Sequence, residues 1–124
     1  MENKKDIDEI KSFCSKKHTY WATGSSHYCL FNQEILFSKY QQKVAFVMKK
    51  TSSDLIGGRV GGIYYPFVHK VHEIKYILCI LDLDMQNVLL EMELSSDPSG
   101  DLDSDKILSF SDTLENKLFS LVHN

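Results

Sequence analysis

Carboxylate side chains are concentrated in the second half of the chain, where their spacing suits electrostatic recognition of a cation. Four aspartates fall within nine residues of polar sequence, and two further acidic pairs alternate with other residues on strand-like segments. Clustered carboxylates steer a cationic partner toward the surface and repel anionic competitors. We therefore expect an acidic surface that binds a basic protein. The expected partner-binding residues are Asp82, Asp84, Glu91, Glu93, Asp97, Asp101, Asp103 and Asp105.

The segment that begins at Asp101 resembles an EF-hand calcium loop in its D-x-D-x-D spacing. Carboxylates from alternate residues are the oxygen ligands that a hard cation prefers. Two departures argue against calcium binding. Lys106 stands where an EF-hand loop has glycine, and the last acidic ligand would be Asp112, which is shorter than the usual bidentate glutamate. We expect no metal site here, and no cofactor elsewhere in the chain.

A glycine-rich segment at residues 57–62 is the second candidate site. It lacks the G-x-x-x-x-G-K-[ST] pattern of a phosphate-binding loop, and the residues after it are strand-like, so that no helix N-terminus is available for an anion. A loop or a pair of β-bulges accounts better for the glycines. Within this segment Gly58, Arg59 and Gly61 are the residues expected to contact a ligand.

Motifs typical of enzymes are missing from the sequence. There is no G-x-S-x-G, no H-E-x-x-H and no dinucleotide-binding fingerprint. His69 and His72 are three residues apart, a spacing that on a strand sends the two rings to opposite faces. Cys14 and Cys79 lie among apolar residues and are expected to be buried, unreactive thiols. An enzyme is therefore the less favoured interpretation, although many active sites leave no local motif.

Hydrophobic periodicity predicts an N-terminal helix, about five strands in an antiparallel meander and a C-terminal amphipathic helix. Asn3 caps the first helix, and the last helix begins at Asp112, three residues before Glu115, as in a capping box. The clearest hairpin joins residues 74–84 to residues 88–94. These elements make an α+β domain, with residues 1–124 forming one globular unit and both helices covering one face of the sheet.

Residues 28–50 fit two interpretations. They form either strands at 28–31, 34–40 and 43–50 or a helix with one apolar face, and the β-branched and aromatic residues near position 46 favour strands. A loop at 51–62 and a strand at 63–68 follow, and Pro66 indicates an edge or a bulge in that strand.

Charge is distributed unevenly along the 124 residues. Up to Lys70 there are 11 Lys and Arg against 6 Asp and Glu, and from Val71 onward there are 3 against 11. The basic residues are scattered, which argues against a nucleic-acid interface. No apolar run reaches the roughly 18 residues needed to span a bilayer, and the first residues do not resemble a signal peptide, so we expect a cytoplasmic protein without a membrane partner.

These observations favour a non-enzymatic protein-binding module. Its most concrete form is an antitoxin or immunity protein that neutralises a cognate bacterial toxin, because a nuclease toxin has a cationic cleft that an acidic surface would complement. The first alternative is a secretion-type chaperone for an effector client, which would expose a large apolar dimer patch. The second is a small ligand-binding domain or enzyme, which would have a deep pocket with convergent polar groups.

Overall fold

The computed structural model describes residues 4–31, 37–60, 62–96 and 103–123. In these ranges the chain forms one helix, then six strands, then a second helix. This order of elements is typical of an α+β fold. The elements are α1 (Lys4–Lys16), β1 (Thr19–Trp21), β2 (Gly24–Phe31), β3 (Phe37–Tyr40), β4 (Lys43–Val60), β5 (Ile63–Asp82), β6 (Asn87–Ser96) and α2 (Ser104–Val122). The predicted α+β arrangement is thereby confirmed, and residues 43–50, which the sequence left open between helix and strand, lie in a strand.

All strand pairings in the described residues are antiparallel, and the sheet order is β1-β2-β4-β5-β6. The short strand β3 pairs with residues 43–46 of β4, and β2 pairs with residues 47–54, so β3 and β2 occupy successive stretches of the same edge of β4. Two tight turns have a non-glycine residue at positive φ, at Gln41 and Gln86. Both fall within or beside the turns that the sequence predicts.

The two helices pack on opposite faces of the sheet, so the prediction that both cover one face is wrong. Ile10 and Cys14 of α1 join a core with Phe46, whereas Leu114 and Leu118 of α2 join a core with Val47. Because successive side chains of a strand point to opposite faces, neighbouring residues of β4 and β5 serve different cores. This requirement explains why the middle of β4 and of β5 is apolar without alternation.

The central strands β4 and β5 are much longer than predicted. Residues 51–60 continue β4 and pair with β5, which corrects the predicted loop at 51–62, and residues 63–82 form one strand where two were expected. The register of this hairpin shifts between Ile56 and Gly58, opposite Pro66 and its neighbour, so the predicted bulge near Pro66 is confirmed. A second shift leaves His72 as an extra residue of β5.

The last helix begins earlier than the capping-box pattern predicted. Its N-cap is Asp103, whose carboxylate Oδ1 accepts a hydrogen bond of 2.8 Å from the backbone N–H of Lys106. That bond satisfies one of the unpaired N–H groups of the first turn. Asp112 therefore lies inside α2, on its solvent side. In the β5–β6 hairpin Ile77 and Leu81 are buried, and Leu90 and Leu94 are half-buried.

Candidate protein-binding surface

The aspartates of the predicted acidic segment fall partly on α2. Asp103 is the N-cap, and Asp105 lies exposed in the first turn, where a carboxylate interacts favourably with the helix dipole. Asp97 and Asp101 lie outside the described residues. Because Lys106 and Asp112 are both helical, the second half of the sequence that resembles a calcium loop forms no loop.

The remaining predicted carboxylates lie in β5, β6 and the turn between them. Asp82 closes the β5–β6 turn, where its Oδ1 accepts hydrogen bonds of 3.0 and 3.3 Å from the backbone N–H groups of Asp84 and Met85. Glu91 and Glu93 are exposed on β6, and each has a lysine nearby. The Lys17 Nζ lies 3.5 Å from Oε2 of Glu91.

Lys75 is the cation that neutralises the second of these glutamates. Its Nζ lies 3.5 Å from a carboxylate oxygen of Glu73 and 3.5 Å from one of Glu93. The two carboxylates, Glu73 first, raise the pKa of Lys75 above its ordinary value. A basic partner would have to compete with Lys17 and Lys75 for Glu91 and Glu93, which reduces the net negative charge at this edge of the sheet.

The predicted carboxylates that the structure describes do not come together into one surface. Asp82 and Asp84 lie at the end of the sheet that carries Tyr40, because Asp82 pairs with Lys43. The C-terminal end of α2 lies at this same end, since the rings of Tyr40 and His123 are 6.0 Å apart. A helix of 19 residues is about 28 Å long, so Asp103 and Asp105 lie roughly that far away, at the other end of α2.

The outer face of α2 is an acidic and apolar surface that the sequence analysis missed. Leu108 and Phe119 are 60% and 64% exposed, although both are large hydrophobic residues. Between them along the same face lie the exposed carboxylates of Asp112 and Glu115. The spacing 108, 112, 115 and 119 is helical, so it was visible in the sequence, but the start assigned at Asp112 placed Leu108 outside the helix.

Aromatic rings extend this surface at the C-terminal end of α2. The His123 ring neighbours both Phe119, at a centroid distance of 4.2 Å, and Tyr40, at 6.0 Å. Tyr40 is 44% exposed and belongs to the β3–β4 hairpin. The α2 surface, as we use the term below, consists of Tyr40, Asp105, Leu108, Asp112, Glu115, Phe119 and His123.

Two of the three residues of the predicted ligand loop are in strand β4. Gly58 pairs with Tyr65 and Arg59 pairs with Tyr64 in the β4–β5 ladder, whereas Gly61 lies outside the described residues. At the tip of the hairpin Gly62 has a φ of 81°, a backbone conformation that favours glycine. The glycines therefore belong to a paired hairpin and not to an open phosphate-binding loop, and contact of Arg59 with a ligand stays a prediction.

A serine and a histidine on β2 lie within hydrogen-bonding distance without any motif in the sequence. The Ser25 Oγ lies 2.9 Å from Nε2 of His27 and 3.2 Å from Oγ of Ser53 on the neighbouring strand. His27 also contacts the rings of His18 and Tyr20, at centroid distances of 4.8 and 5.3 Å. The Ser25 side chain is fully buried, so its hydroxyl links two strands and is closed to a substrate in this conformation.

The cysteines differ sharply in their surroundings. Cys14 and Cys79 are buried, as predicted, and burial raises the pKa of each thiol to about 12. Cys29 is exposed on β2, and its Sγ lies 3.8 Å from the carbonyl oxygen of Lys49. The two buried thiols therefore stay protonated and unreactive at neutral pH.

A cleft of about 250 Å³ lies between α1 and the β5–β6 turn. Phe13, Leu81 and Leu83 give it an apolar lining, and Glu9 and Lys16 add one charge of each sign. The polar groups that line it show no hydrogen-bonded catalytic arrangement among the described residues.

Within the ranges that the structure describes, no three His, Cys, Asp or Glu side chains are grouped so that they could hold a metal ion. Neither helix of those ranges is long and apolar enough to cross a membrane. Comparison with protein-family models, with curated proteins and with solved structures gave no match. Function is therefore inferred from the surface alone, and the α2 surface is the candidate that the geometry favours.

Proposed function

We propose that this chain is a non-enzymatic protein-binding domain that recognises a basic partner through the α2 surface. The observation that carries the proposal is the exposure of Leu108 and Phe119 on either side of Asp112 and Glu115 on one helix face. An exposed helix face with large apolar residues is costly to leave in water, and it is a common recognition element for protein partners.

Charge supports a cationic partner. Asp105, Asp112 and Glu115 are exposed along α2, and the chain from Val71 onward has 3 lysines against 11 acidic residues. None of these three carboxylates forms an ion pair that the structure records among its described residues, in contrast to Glu91 and Glu93, which have lysine neighbours. Unpaired carboxylates at a surface accelerate encounter with a cationic protein and oppose an anionic one.

The apolar residues supply the affinity that exposed charge alone does not. Exposed ion pairs contribute little, whereas large side chains buried at the centre of an interface dominate its energetics. Phe119, beside the His123 ring and Tyr40, forms an aromatic platform on which a guanidinium or ammonium group from the partner would stack. This combination favours a partner rich in arginine or lysine.

The most concrete form of the proposal is an antitoxin or immunity protein that acts in the bacterial cytoplasm and blocks a cognate toxin. A nuclease toxin needs a cationic cleft to hold its polyanionic substrate, and the acidic α2 surface would occupy such a cleft in place of the phosphate backbone. Three cysteines without a disulfide are in keeping with a reducing compartment.

The test uses the protein encoded by the neighbouring gene as the candidate partner. It measures the affinity of charge variants of this chain for that protein and the survival of cells that express both. The double variant Asp112→Lys/Glu115→Lys reverses two exposed carboxylates of the α2 surface, and the control Asp8→Lys reverses an exposed carboxylate of α1, on the opposite face of the sheet. We expect the double variant to lose at least about tenfold in affinity and to stop protecting cells that express the partner. The control should bind and protect like the parent.

Two results would contradict the proposal. One is an unchanged affinity of the double variant at low salt, which would remove the α2 surface from the interface. The other is preferential binding of unfolded client segments to an apolar dimer surface, which would favour the chaperone alternative. Circular dichroism of each variant would establish that a loss of binding is not a loss of fold.

A further inference from the structure

Strand β4 extends beyond its neighbours on one side and leaves part of its edge open. Pairing of β2 with β4 ends at Asp54, and β3 pairs only with residues 43–46, so residues 55–60 have no partner on that side among the described strands. On the other side they pair with β5 residues 63–69, and β6 pairing begins only at Lys75. In the part of the chain that the structure describes, residues 55–60 and 63–69 therefore form a two-stranded ribbon beyond the other strands.

A two-stranded ribbon is marginally stable in water, and three or more strands are needed for independent stability. The ribbon sequence has few charges: residues 55–60 contain one, Arg59, and no proline. The backbone N–H and C=O groups on the open side of these six residues are a template for another extended strand.

The other open edges of the sheet carry features that oppose strand addition. Strand β1 has only three residues. Strand β6 contains two extra residues, Leu89 and Leu94, and two exposed carboxylates between them. The part of β5 that precedes Lys75 also has an open edge among the described strands. It contains an extra residue at His72, and Pro66 lies at its second register shift. Bulges, charges and proline all discourage edge-to-edge pairing.

Residues 55–60 contain no proline and no acidic residue, and Gly57 lies at the register shift between Ile56 and Gly58. At both irregularities of the β4–β5 ladder the extra residue belongs to β5, so β4 itself runs without an inserted residue. Gly57 and Gly58 lie in the middle of the open segment, where the absence of a Cβ permits the closest approach of another backbone. Among the described residues this edge of β4 is therefore unpaired and has no inserted residue.

We propose that two copies of this chain associate by antiparallel pairing of residues 55–59, centred on Gly57, so that the two ribbons become one four-stranded sheet. A second copy suits this edge because a two-fold axis makes an antiparallel pair from one segment, and closed two-fold association is the commonest oligomeric arrangement. In a pairing centred on Gly57, Arg59 lies opposite Leu55 of the second copy, so no like charges are opposed.

Charge on the rest of the molecule favours this meeting point. The chain has a net charge of −3, and two copies repel each other most where the acidic residues of its second half are exposed. The open segment of β4 has no acidic residue, so it is a place where two identical chains approach without carboxylate repulsion. The α2 surface belongs to different elements and stays available to a basic partner.

Sedimentation velocity from low to high micromolar concentration tests the proposal. The parent should shift from monomer to dimer as concentration rises. The double variant Ile56→Lys/Val60→Lys should weaken dimerisation by about tenfold or more, because charges on an edge strand block its pairing. The matched control Val88→Lys places the same charge on β6, at a residue that is 40% exposed, and should dimerise like the parent.

Disulfide trapping keeps the proposal testable if the lysine variant fails to fold. In a Cys29→Ser background, Gly57→Cys should give a covalent dimer under mild oxidation, because cross-strand neighbours at a two-fold axis lie within disulfide distance. Val88→Cys in the same background should not. A parent that is monomeric at every concentration overturns the proposal, as does a dimer that Ile56→Lys/Val60→Lys leaves unchanged or that Val88→Cys traps equally well.

Discussion

Lys17 and Glu91, which are 74 positions apart in the chain, meet on the α1 face of the sheet with Nζ and Oε2 3.5 Å apart. Lys17 lies just after α1, and Glu91 lies on the edge strand β6. The same ammonium group lies 5.5 Å from the centre of the Phe13 ring and 5.4 Å from that of Tyr28. One side chain thus connects the end of α1 to strands near both edges of the sheet.

A double-mutant cycle of Lys17→Met and Glu91→Gln should give a small coupling energy. Both side chains are partly exposed, and such ion pairs contribute about 0.2–1 kcal/mol. Methionine preserves the stem that packs on the two rings, so the cycle isolates the charge. Urea denaturation at low and high salt is the measurement. A coupling energy that does not decrease at high salt would show that the contact is not electrostatic.

Leu114→Ala should destabilise the fold by about 2–5 kcal/mol, because this side chain is buried between α2 and the sheet. The matched control is Leu108→Ala on the same helix, where the side chain is exposed and a change of about 0.5 kcal/mol or less is expected. Chemical denaturation measures both. Equal losses at the two positions would mean that the buried face of α2 is assigned wrongly.

Asp103→Ala should cost about 1 kcal/mol of stability, although Asp103 is exposed. Its carboxylate caps α2 through the backbone N–H of Lys106, and alanine leaves that group to water. Asp103→Asn, which keeps an acceptor oxygen, should recover most of the loss. Thermal unfolding of the pair is the measurement, and an asparagine variant no more stable than the alanine variant would argue against the cap.

Stability should fall as the pH rises from about 9 toward 12, in part because of two thiols. Burial raises the pKa of Cys14 and Cys79 from 9.0 to about 12. Since the unfolded thiols ionise first, the stability that these groups contribute is fully present below pH 9 and is lost as the pH approaches the folded value. Urea denaturation across this range should show a shallower decline for Cys79→Ala than for the parent.

Thiol labelling at neutral pH gives an independent check of the same burial. Cys29 should react rapidly with a maleimide, and Cys14 and Cys79 should react only on unfolding. In Cys29→Ser the native protein should therefore remain unlabelled. Rapid labelling of that variant without denaturant would show that the cores around α1 and β5 open readily.

Local chemistry in the sequence determined the classes of the elements and several of their details. Hydrophobic periodicity indicated both helices and the hairpin of residues 74–84 and 88–94, and the apolar surroundings of Cys14 and Cys79 indicated buried thiols. These features depend on neighbours within a few residues, so periodicity records them. The start of α2 was misplaced because two Asp residues compete as caps, and only the hydrogen bond from Lys106 distinguishes Asp103 from Asp112.

Long-range packing decided what the sequence left open or predicted wrongly. A helix pattern shows which face is apolar but not which side of a sheet receives it, so only the tertiary structure placed α1 and α2 on opposite faces. Glycines at 57 and 58 favour a loop locally, yet pairing with β5 makes the segment a strand. The fold likewise separated carboxylates that are close in sequence or paired them with lysines. It placed Leu108, Asp112, Glu115 and Phe119 on one exposed helix face. The positions of surface side chains depend on the fold as a whole and not on proximity along the chain.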